Sequence, residues 1–152
     1  MLKKIFFIFL SFVLVNHCDY KPVYSKQNKV NYKIVITGSS GDKYINNLIS
    51  TNLKRTSKEE SDQIINIIFD TKYTKNVLAK NSAGSITDYQ TDVVTTFVII
   101  KNDDSENFSV NEKFNFKKMT DKYDEKNYEQ NIKKNLANSI SQKLILRLAV
   151  IK

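Results

Sequence analysis

The sequence of 152 residues predicts an α+β domain in which a mainly antiparallel four-stranded sheet has two helices packed on one face. Three patterns lead to this fold class, and together they give the order β-α-β-β-β-α. Alternating apolar residues give way to a helical period between residues 42 and 55. Residues 64–117 are rich in β-branched and aromatic side chains, interrupted by short turns. From residue 124 onward, apolar side chains recur at every fourth position.

The first helix lies between two predicted strands. Residues 32–37 are dense in aromatic and β-branched side chains and predict a strand, which the Gly- and Ser-containing residues 38–41 close as a turn. Residues 42–55 predict the helix, and residues 64–70 begin a second strand whose pattern continues more weakly to Leu78. The apolar face of the helix is formed by Tyr44, Ile45, Leu48, Ile49 and Leu53.

The longest predicted strand covers residues 86–101 and follows a turn at residues 81–85. Its first half alternates polar and apolar residues, whereas its second half is apolar on both faces, which is typical of a strand in the interior of a sheet. A turn at residues 102–106 then leads to a fourth strand at residues 107–117. One face of the long strand carries Tyr89, Val93, Phe97 and Ile99, and the other carries Val94, Val98 and Ile100.

A long amphipathic helix is predicted from Asp124 onward. Asp124, Glu125 and Glu129 lie near its beginning, where carboxylates interact favourably with the helix dipole. The repeat forms one continuous apolar stripe, so this helix is expected to pack on the sheet. The stripe consists of Tyr128, Ile132, Leu136, Ile140, Leu144 and Leu148, broadened by Ala137, Ile145 and Ala149.

The first 17 residues have the features of an export signal. Two lysines, Lys3 and Lys4, precede an apolar run at residues 5–15. As a helix this run is about 16 Å long, against about 30 Å for the hydrocarbon core of a bilayer, so it is short for a membrane span. A secretory signal is therefore the favoured interpretation, with an uncleaved anchor and a buried core helix as the alternatives.

Cys18, the only cysteine, stands directly after this segment. The sequence Leu14-Val15-Asn16-His17-Cys18 resembles the lipobox at which bacterial lipoproteins are cleaved and acylated, although His17 stands where a small residue is usual. We therefore expect Cys18 to be the lipidation site, and an ordinary cysteine beside a cleaved signal is the alternative. The chain then divides into a signal at 1–17, a lipidated N-terminus and tether at 18–30, and one domain at 31–152.

The composition argues against catalysis in the exported part. His17, the only histidine, lies in the expected signal, which excludes histidine-based triads and histidine metal sites from the remainder. The acidic pairs Glu59/Glu60 and Asp103/Asp104 are expected to be solvated surface charge rather than catalytic carboxylates. The Gly-Ser turn after the first strand lacks the lysine of a phosphate-binding loop, and no nucleophile elbow is present. We expect neither enzyme activity nor a cofactor or metal.

The formal net charge is +8, and Lys3 and Lys4 carry two of these charges, which leaves +6 for the exported part. A mildly basic domain favours acidic partners such as phosphate-bearing lipid head groups, while export makes nucleic acid a poor choice. Four lysines of the long hairpin are candidates for contacts to phosphates, but protection of sheet edges and solubility explain them better. They are Lys72, Lys75, Lys80 and Lys101.

These features together resemble the lipopolysaccharide-assembly lipoprotein LptE family in its alphaproteobacterial form. The resemblance rests on a signal that ends at Cys18, on the start Cys18-Asp19-Tyr20-Lys21-Pro22-Val23-Tyr24, and on the order β-α-β-β-β-α. The passage from Phe114-Asn115-Phe116 through Tyr123 and Tyr128 into the last helix is also similar to that family.

The resemblance implies a non-catalytic protein held at the outer membrane by the lipid on Cys18. In that family the domain is the plug and assembly partner of an LptD-type outer-membrane β-barrel and helps insert lipopolysaccharide at the cell surface. Cys18 is the one functional residue that the resemblance transfers. Asp19 stands where glycine is usual, and in enteric bacteria an acid there retains some lipoproteins at the inner membrane. A periplasm-facing accessory of a lipid transporter at that membrane is therefore the alternative, and a hydrolase is the weakest one.

Overall fold

The computed structural model describes residues 30–151, so the expected signal, Cys18 and almost all of the tether lie outside the described residues. The domain consists of a four-stranded sheet and two helices in the order β-α-β-β-β-α, and the predicted fold class is confirmed. The elements are β1 (Lys33–Gly41), α1 (Lys43–Thr56), β2 (Ile64–Lys80), β3 (Ile86–Lys101), β4 (Asp104–Lys117) and α2 (Lys122–Val150).

The strands lie in the sheet in chain order, β1-β2-β3-β4. β1 pairs parallel to β2, whereas β2 with β3 and β3 with β4 form antiparallel hairpins. A parallel pair needs a crossover connection, and α1 provides it by returning along one face of the sheet. α2 lies beside α1, where the Asn52 amide donates hydrogen bonds to Asn138 and Ser141 of α2. Both helices therefore cover the same face.

The core lies between the sheet and the two helices. Phe69 of β2 and Phe97 of β3 are fully buried in it, with ring centroids 5.5 Å apart. Along both strands buried and exposed positions alternate in this region, as expected for strands with one covered face. The fully buried helix residues of the same cluster are Ile45, Ile49 and Leu53 of α1 and Ala137, Ile140, Leu144 and Leu148 of α2.

β3 has the predicted bounds and the predicted faces. Two threonines also lie on its covered face, and both of their hydroxyls are satisfied. The Thr95 hydroxyl bonds to that of Thr71 at 3.1 Å, and the Thr91 hydroxyl donates to the carbonyl of Phe114 at 3.1 Å. The buried apolar residues are Val93, Phe97 and Ile99, while Val94, Val98 and Ile100 are partly exposed on the other face.

The prediction of a turn at residues 38–41 is wrong, because β1 continues to Gly41. A bulge between Ile36 and Gly38 shifts the register, and residues 38–41 then pair with residues 68–71 of β2. Gly and Ser residues are common in turns, but here the ladder to β2 satisfies their backbone groups.

The turn between β3 and β4 is shorter than predicted. Asn102 and Asp103 alone form it, with φ angles of 48° and 70°, and β4 begins at Asp104. A left-handed φ at both residues is what a two-residue type I′ hairpin requires, and Asn and Asp tolerate this region better than most residues. The β2–β3 turn lies where it was predicted, and the Asn81 side chain accepts hydrogen bonds from the N–H groups of Ala83 and Ser85.

Three members of the predicted apolar helix faces are exposed, namely Tyr44 of α1 and Tyr128 and Ala149 of α2. α1 instead buries Asn46, whose side-chain amide donates to the carbonyl of Ser40 at 2.7 Å. A polar side chain can take this place because β1 supplies the acceptor directly before the helix.

Gly41→Ala is expected to lower the free energy of unfolding by about 3 kcal/mol or more. Gly41 has a φ of +92°, and a Cβ there would lie 1.9 Å from the carbonyl oxygen of Thr71. Gly84→Ala is the matched control, because Gly84 has a φ of +77° but its Cβ position meets nothing within 4 Å among the described residues. The control should lose only about 1 kcal/mol. Urea denaturation followed by circular dichroism measures both, and equal losses would contradict the close approach at Gly41.

Candidate functional site

The four candidate lysines do not form a common site. The Lys75 side chain is 23% exposed and binds two carboxylates, and Lys101 donates to the hydroxyl of Tyr32 at 3.4 Å. Lys72 and Lys80 are exposed, but they are eight residues apart on β2, or about 26 Å at 3.3 Å per residue. The part of the chain that the structure describes therefore brings no cluster of these lysines together around a phosphate group.

The acidic pairs lie at the surface. Glu59 and Glu60 are exposed in the loop between α1 and β2, and Glu59 lies 3.7 Å from the Lys33 ammonium. Asp103 belongs to the β3–β4 turn and Asp104 begins β4, both exposed. Across residues 30–151, no three His, Cys, Asp or Glu side chains are arranged to hold a metal ion.

A connected set of six polar side chains, which we call the polar clamp, lies between β2 and the two helices. Lys75 Nζ lies 2.9 Å from Glu125 Oε1 and 2.9 Å from Glu129 Oε2. The Tyr73 hydroxyl donates to Glu129 Oε1 at 2.6 Å, and Lys133 Nζ stands 3.9 Å from the centre of the Tyr73 ring. The polar clamp consists of Asp42, Tyr73, Lys75, Glu125, Glu129 and Lys133.

The polar clamp joins the start of α1 to the first half of α2. Lys133 of α2 binds Asp42 Oδ2 at 2.7 Å. Asp42 is also the N-cap of α1, and its other oxygen accepts from the Ile45 N–H at 3.0 Å. Glu125 accepts from the Met119 N–H at 3.1 Å, which holds the loop between β4 and α2. One set of contacts therefore ties β2, both helices and this loop together.

The contacts within the polar clamp shift the pKa values of its three carboxylates. The hydrogen bond from Lys75 lowers the pKa of Glu125 below its usual range. Burial alone raises the pKa of Glu129, but the Tyr73 hydroxyl and the Lys75 ammonium outweigh it, and the net shift is downward. Burial also opposes ionisation of Asp42, and its lysine partner on α2 reverses this and lowers the pKa. All three carboxylates are therefore ionised at neutral pH.

Sequence reasoning did not find the polar clamp. It assigned Glu125 and Glu129 to the helix dipole, and for Lys75 it favoured solubility and protection of a sheet edge over contact with phosphate. The available signal was the spacing of four between Glu125, Glu129 and Lys133, which places these charges on one side of α2. Nothing local indicated that Tyr73 and Lys75 of β2 would lie opposite them.

The chain enters the described domain where α2 ends. Val30 and Tyr32 are buried, and the Tyr32 hydroxyl donates to the carbonyl of Ile151. Lys101, at the end of β3, lies 4.7 Å from the centre of the Tyr32 ring. We call this end of the domain, formed by Val30, Tyr32, Lys101 and Ile151, the entry pole. The β2–β3 turn lies at the opposite end of the hairpin.

The open face of the sheet, turned away from the helices, has a mixed character. Near the entry pole it carries the exposed side chains of Ile64 and Ile68, with the partly exposed Val98 opposite Ile68 on β3. Further along β2 and β3 it carries polar residues such as Lys72 and Thr96. The open face therefore offers one apolar region and one polar region to a partner.

The fold is shared with solved structures of bacterial lipoproteins. Rare lipoprotein B from Shewanella oneidensis matches with a TM-score of 0.55 at 11% identity, over 74% of this chain and 92% of that chain. A minor lipoprotein from Acinetobacter baumannii has a TM-score of 0.51 at 14% identity, over 76% and 94%. Lipoprotein B from Nitrosomonas europaea has a TM-score of 0.50 at 12% identity, over 82% and 91%. At these identities the likeness establishes the fold alone.

No protein-family model and no curated protein sequence matches the chain. Within residues 30–151, neither helix combines the length and the apolar composition that a membrane span requires. Cys18, the residue at which lipid attachment is expected, precedes these described residues.

Lys75→Met is expected to lower the free energy of unfolding by about 2 kcal/mol at pH 7, because it leaves Glu125 and Glu129 partly buried without their cation. Lys72→Met is the matched control on the same strand, since the Lys72 side chain is exposed. The control should change stability by less than about 0.5 kcal/mol. Urea denaturation measures both variants, and similar losses would contradict the role given to Lys75.

The loss caused by Lys75→Met should also depend on pH. The pKa values of Glu125 and Glu129 are lowered in the folded protein, so the stability that they contribute is present above their unfolded pKa. This stability is lost as the pH falls through the folded pKa values. The difference between wild type and variant should therefore shrink below about pH 4. A difference that stays constant from pH 7 to pH 3 would count against the polar clamp.

Proposed function

We propose that this protein is a lipid-anchored envelope protein that serves lipopolysaccharide transport as the plug and assembly partner of an LptD-type outer-membrane β-barrel. One observation carries the proposal: a fold shared with rare lipoprotein B and minor lipoprotein structures occurs on a chain whose single cysteine is separated by only two residues from an export-type apolar run. The motif from Cys18 to Tyr24, which resembles the start of LptE proteins, supports the same family. The proposed role includes no catalysis.

Lipid on Cys18 would hold the domain at the membrane in which its partner folds. Residues 19–29 separate Cys18 from the buried Val30, and these eleven residues reach at most about 40 Å when fully extended. The domain would therefore stay close to the membrane surface, which raises the effective concentration of domain and barrel for each other.

The two regions of the open sheet face support a role as a plug. The interior of a large outer-membrane barrel is polar and wet, and the polar region around Lys72 and Thr96 suits contact with it. The apolar region around Ile64 and Ile68 offers a surface for packing. The positive charge of the exported part suits the phosphate groups of lipopolysaccharide.

A second candidate function is an accessory of a lipid transporter at the inner membrane, with the domain facing the periplasm. Asp19, directly after Cys18, favours it, since an acid at this position retains some lipoproteins at that membrane in enteric bacteria. Fractionation of the native protein between inner and outer membranes separates the two functions.

A tagged full-length chain in its native cells is expected to co-purify with a large outer-membrane β-barrel from detergent-solubilised membranes, as identified by mass spectrometry. Cys18→Ser is the matched control, because it removes the acylated sulfur and leaves residues 30–151 unchanged. It should appear in the soluble fraction and recover far less barrel. Absence of any barrel from the wild-type eluate would contradict the partnership, and recovery with inner-membrane proteins would favour the second candidate.

Intact mass spectrometry of the protein from its own membranes should find an N-terminus at Cys18 that carries fatty acid. The reason is that a cysteine after an apolar signal is the residue at which bacterial lipoproteins are cleaved and acylated. Cys18→Ser serves as the control and should carry no acyl mass. A wild-type N-terminus without fatty acid would contradict the anchor.

A further inference from the structure

The last two turns of α2 expose apolar side chains to solvent. Leu146 is 68% exposed and Val150 is 65% exposed, and Ala149 is exposed as well. Leu144 and Leu148 on the other side of the helix are fully buried in the core. At 3.6 residues per turn, Leu146 and Val150 lie one turn apart on the solvent side. We call Leu146, Ala149 and Val150 the terminal stripe.

The terminal stripe holds the exposed aliphatic side chains of α2, whereas the remainder of its exposed side is polar or aromatic. A single aliphatic side chain on a surface needs no explanation. Two neighbouring aliphatic side chains, each with about two-thirds of its surface in water, favour a contact that removes them from water. The exposed residues nearer the start of the helix are polar or aromatic, namely Lys122, Tyr123, Asp124, Lys126, Tyr128, Gln130, Asn131, Lys134, Asn135 and Gln142.

The terminal stripe lies at the entry pole. Val150 directly precedes Ile151, whose carbonyl accepts the hydrogen bond from Tyr32, and Val30 is buried two residues before Tyr32. The eleven residues before Val30 lead back to Cys18. An anchor at Cys18 therefore brings this end of the domain to the membrane, whereas the β2–β3 turn is removed by the length of β2, about 56 Å.

Two ion pairs lie beside the terminal stripe. Lys143 and Arg147 lie on the same turns of α2, and their side chains are about half exposed. They bind the nearby carboxylates of Glu112 at 2.7 Å and Glu106 at 2.5 Å. Each ion pair is close to neutral overall, so this part of the surface does not repel phosphate groups. Apolar side chains flanked by basic ones are typical of a helix that lies at a lipid interface.

We infer that the terminal stripe inserts into the head-group region of the phospholipid bilayer that carries the anchor, so that the free domain rests on the membrane by its entry pole until a partner takes it up. The inference rests on the membrane attachment in the proposed function and not on the barrel. Leu146 and Val150 bury their side chains there, while Lys143 and Arg147 stay at the level of the phosphates. A protein partner and a second copy of the chain are the competing occupants.

The absence of tryptophan from the sequence gives a direct test, because a single introduced tryptophan reports its own surroundings. Acylated full-length Leu146→Trp is reconstituted into vesicles of phosphatidylethanolamine and phosphatidylglycerol. Its emission should shift to the blue and be quenched by brominated lipids. Leu78→Trp is the matched control, because Leu78 is 48% exposed and lies near the other end of β2. The emission of the control should change with neither treatment.

A second pair of variants measures the contact without the anchor. On the Cys18→Ser background, Leu146→Glu combined with Val150→Glu should weaken partitioning onto the same vesicles by about tenfold or more, because two apolar side chains no longer leave water. Leu78→Glu is the control on the same background and should leave partitioning unchanged. Circular dichroism of each variant reports folding, and equal partitioning of folded variants would overturn the inference.

Flotation of the protein with the vesicles is recorded in the same samples. Flotation reports the lipid anchor, and tryptophan quenching reports the contact of the terminal stripe with lipid. If the chain floats with the vesicles but the tryptophan of Leu146→Trp is not quenched, the inferred lipid contact is wrong and the lipid anchor is retained. A chain that does not float overturns both. A blue shift that appears only with added barrel protein, or that rises with protein concentration in the absence of lipid, assigns the terminal stripe to a protein partner or a second copy and also overturns the inference.

Discussion

α1 is too short to cover the hairpin against which it packs, and much of the structure follows from this mismatch. Its 14 residues span about 21 Å, whereas the 17 residues of β2 span about 56 Å. The far part of the hairpin extends past the start of α1, and α2 is the helix that covers it. In that part of β2, the side chains that face the helices change from apolar to polar. The buried inward residues beside α1 are Ile65, Ile67, Phe69 and Thr71, and the partly exposed ones beyond it are Tyr73 and Lys75.

The polar clamp lies where the inward residues of β2 change from apolar to polar, because a single helix leaves this part of the covered sheet face partly exposed to water. Lys75 Nζ lies 4.2 Å from the centre of the Tyr89 ring and 5.1 Å from that of Phe116, so the lysine uses aromatic faces as well as carboxylates. A polar network of this kind contributes less net stability than apolar packing, but the loss of one partner is costly. We expect the polar clamp to fix how α2 lies across the hairpin rather than to supply most of the stability.

The elements that the sequence predicted well are those that a local period defines. β3 has the predicted bounds, and the repeat from Ile132 to Leu148 lies in the core, because alternation and helical period depend on neighbouring residues alone. The parallel pairing of β1 with β2 is non-local. It extends β1 through residues 38–41, for which the sequence predicted a turn. The contacts of Lys75 depend on side chains fifty or more residues away, so no local pattern distinguishes it from the exposed Lys72.

The length of the tether links the two membrane-related inferences. A chain that joins a lipid anchor outside a barrel to a domain inside its lumen must pass around the rim of the barrel wall. That wall, a β-sheet with its side chains, is about 10 Å thick. The eleven residues between Cys18 and Val30 reach up to about 40 Å, which is enough for that path. In the proposed arrangement, the same length would let the entry pole rest on the bilayer before the domain meets its partner. Burial of Leu146 and Val150 at the lipid surface would then keep the terminal stripe out of water while the domain awaits its partner.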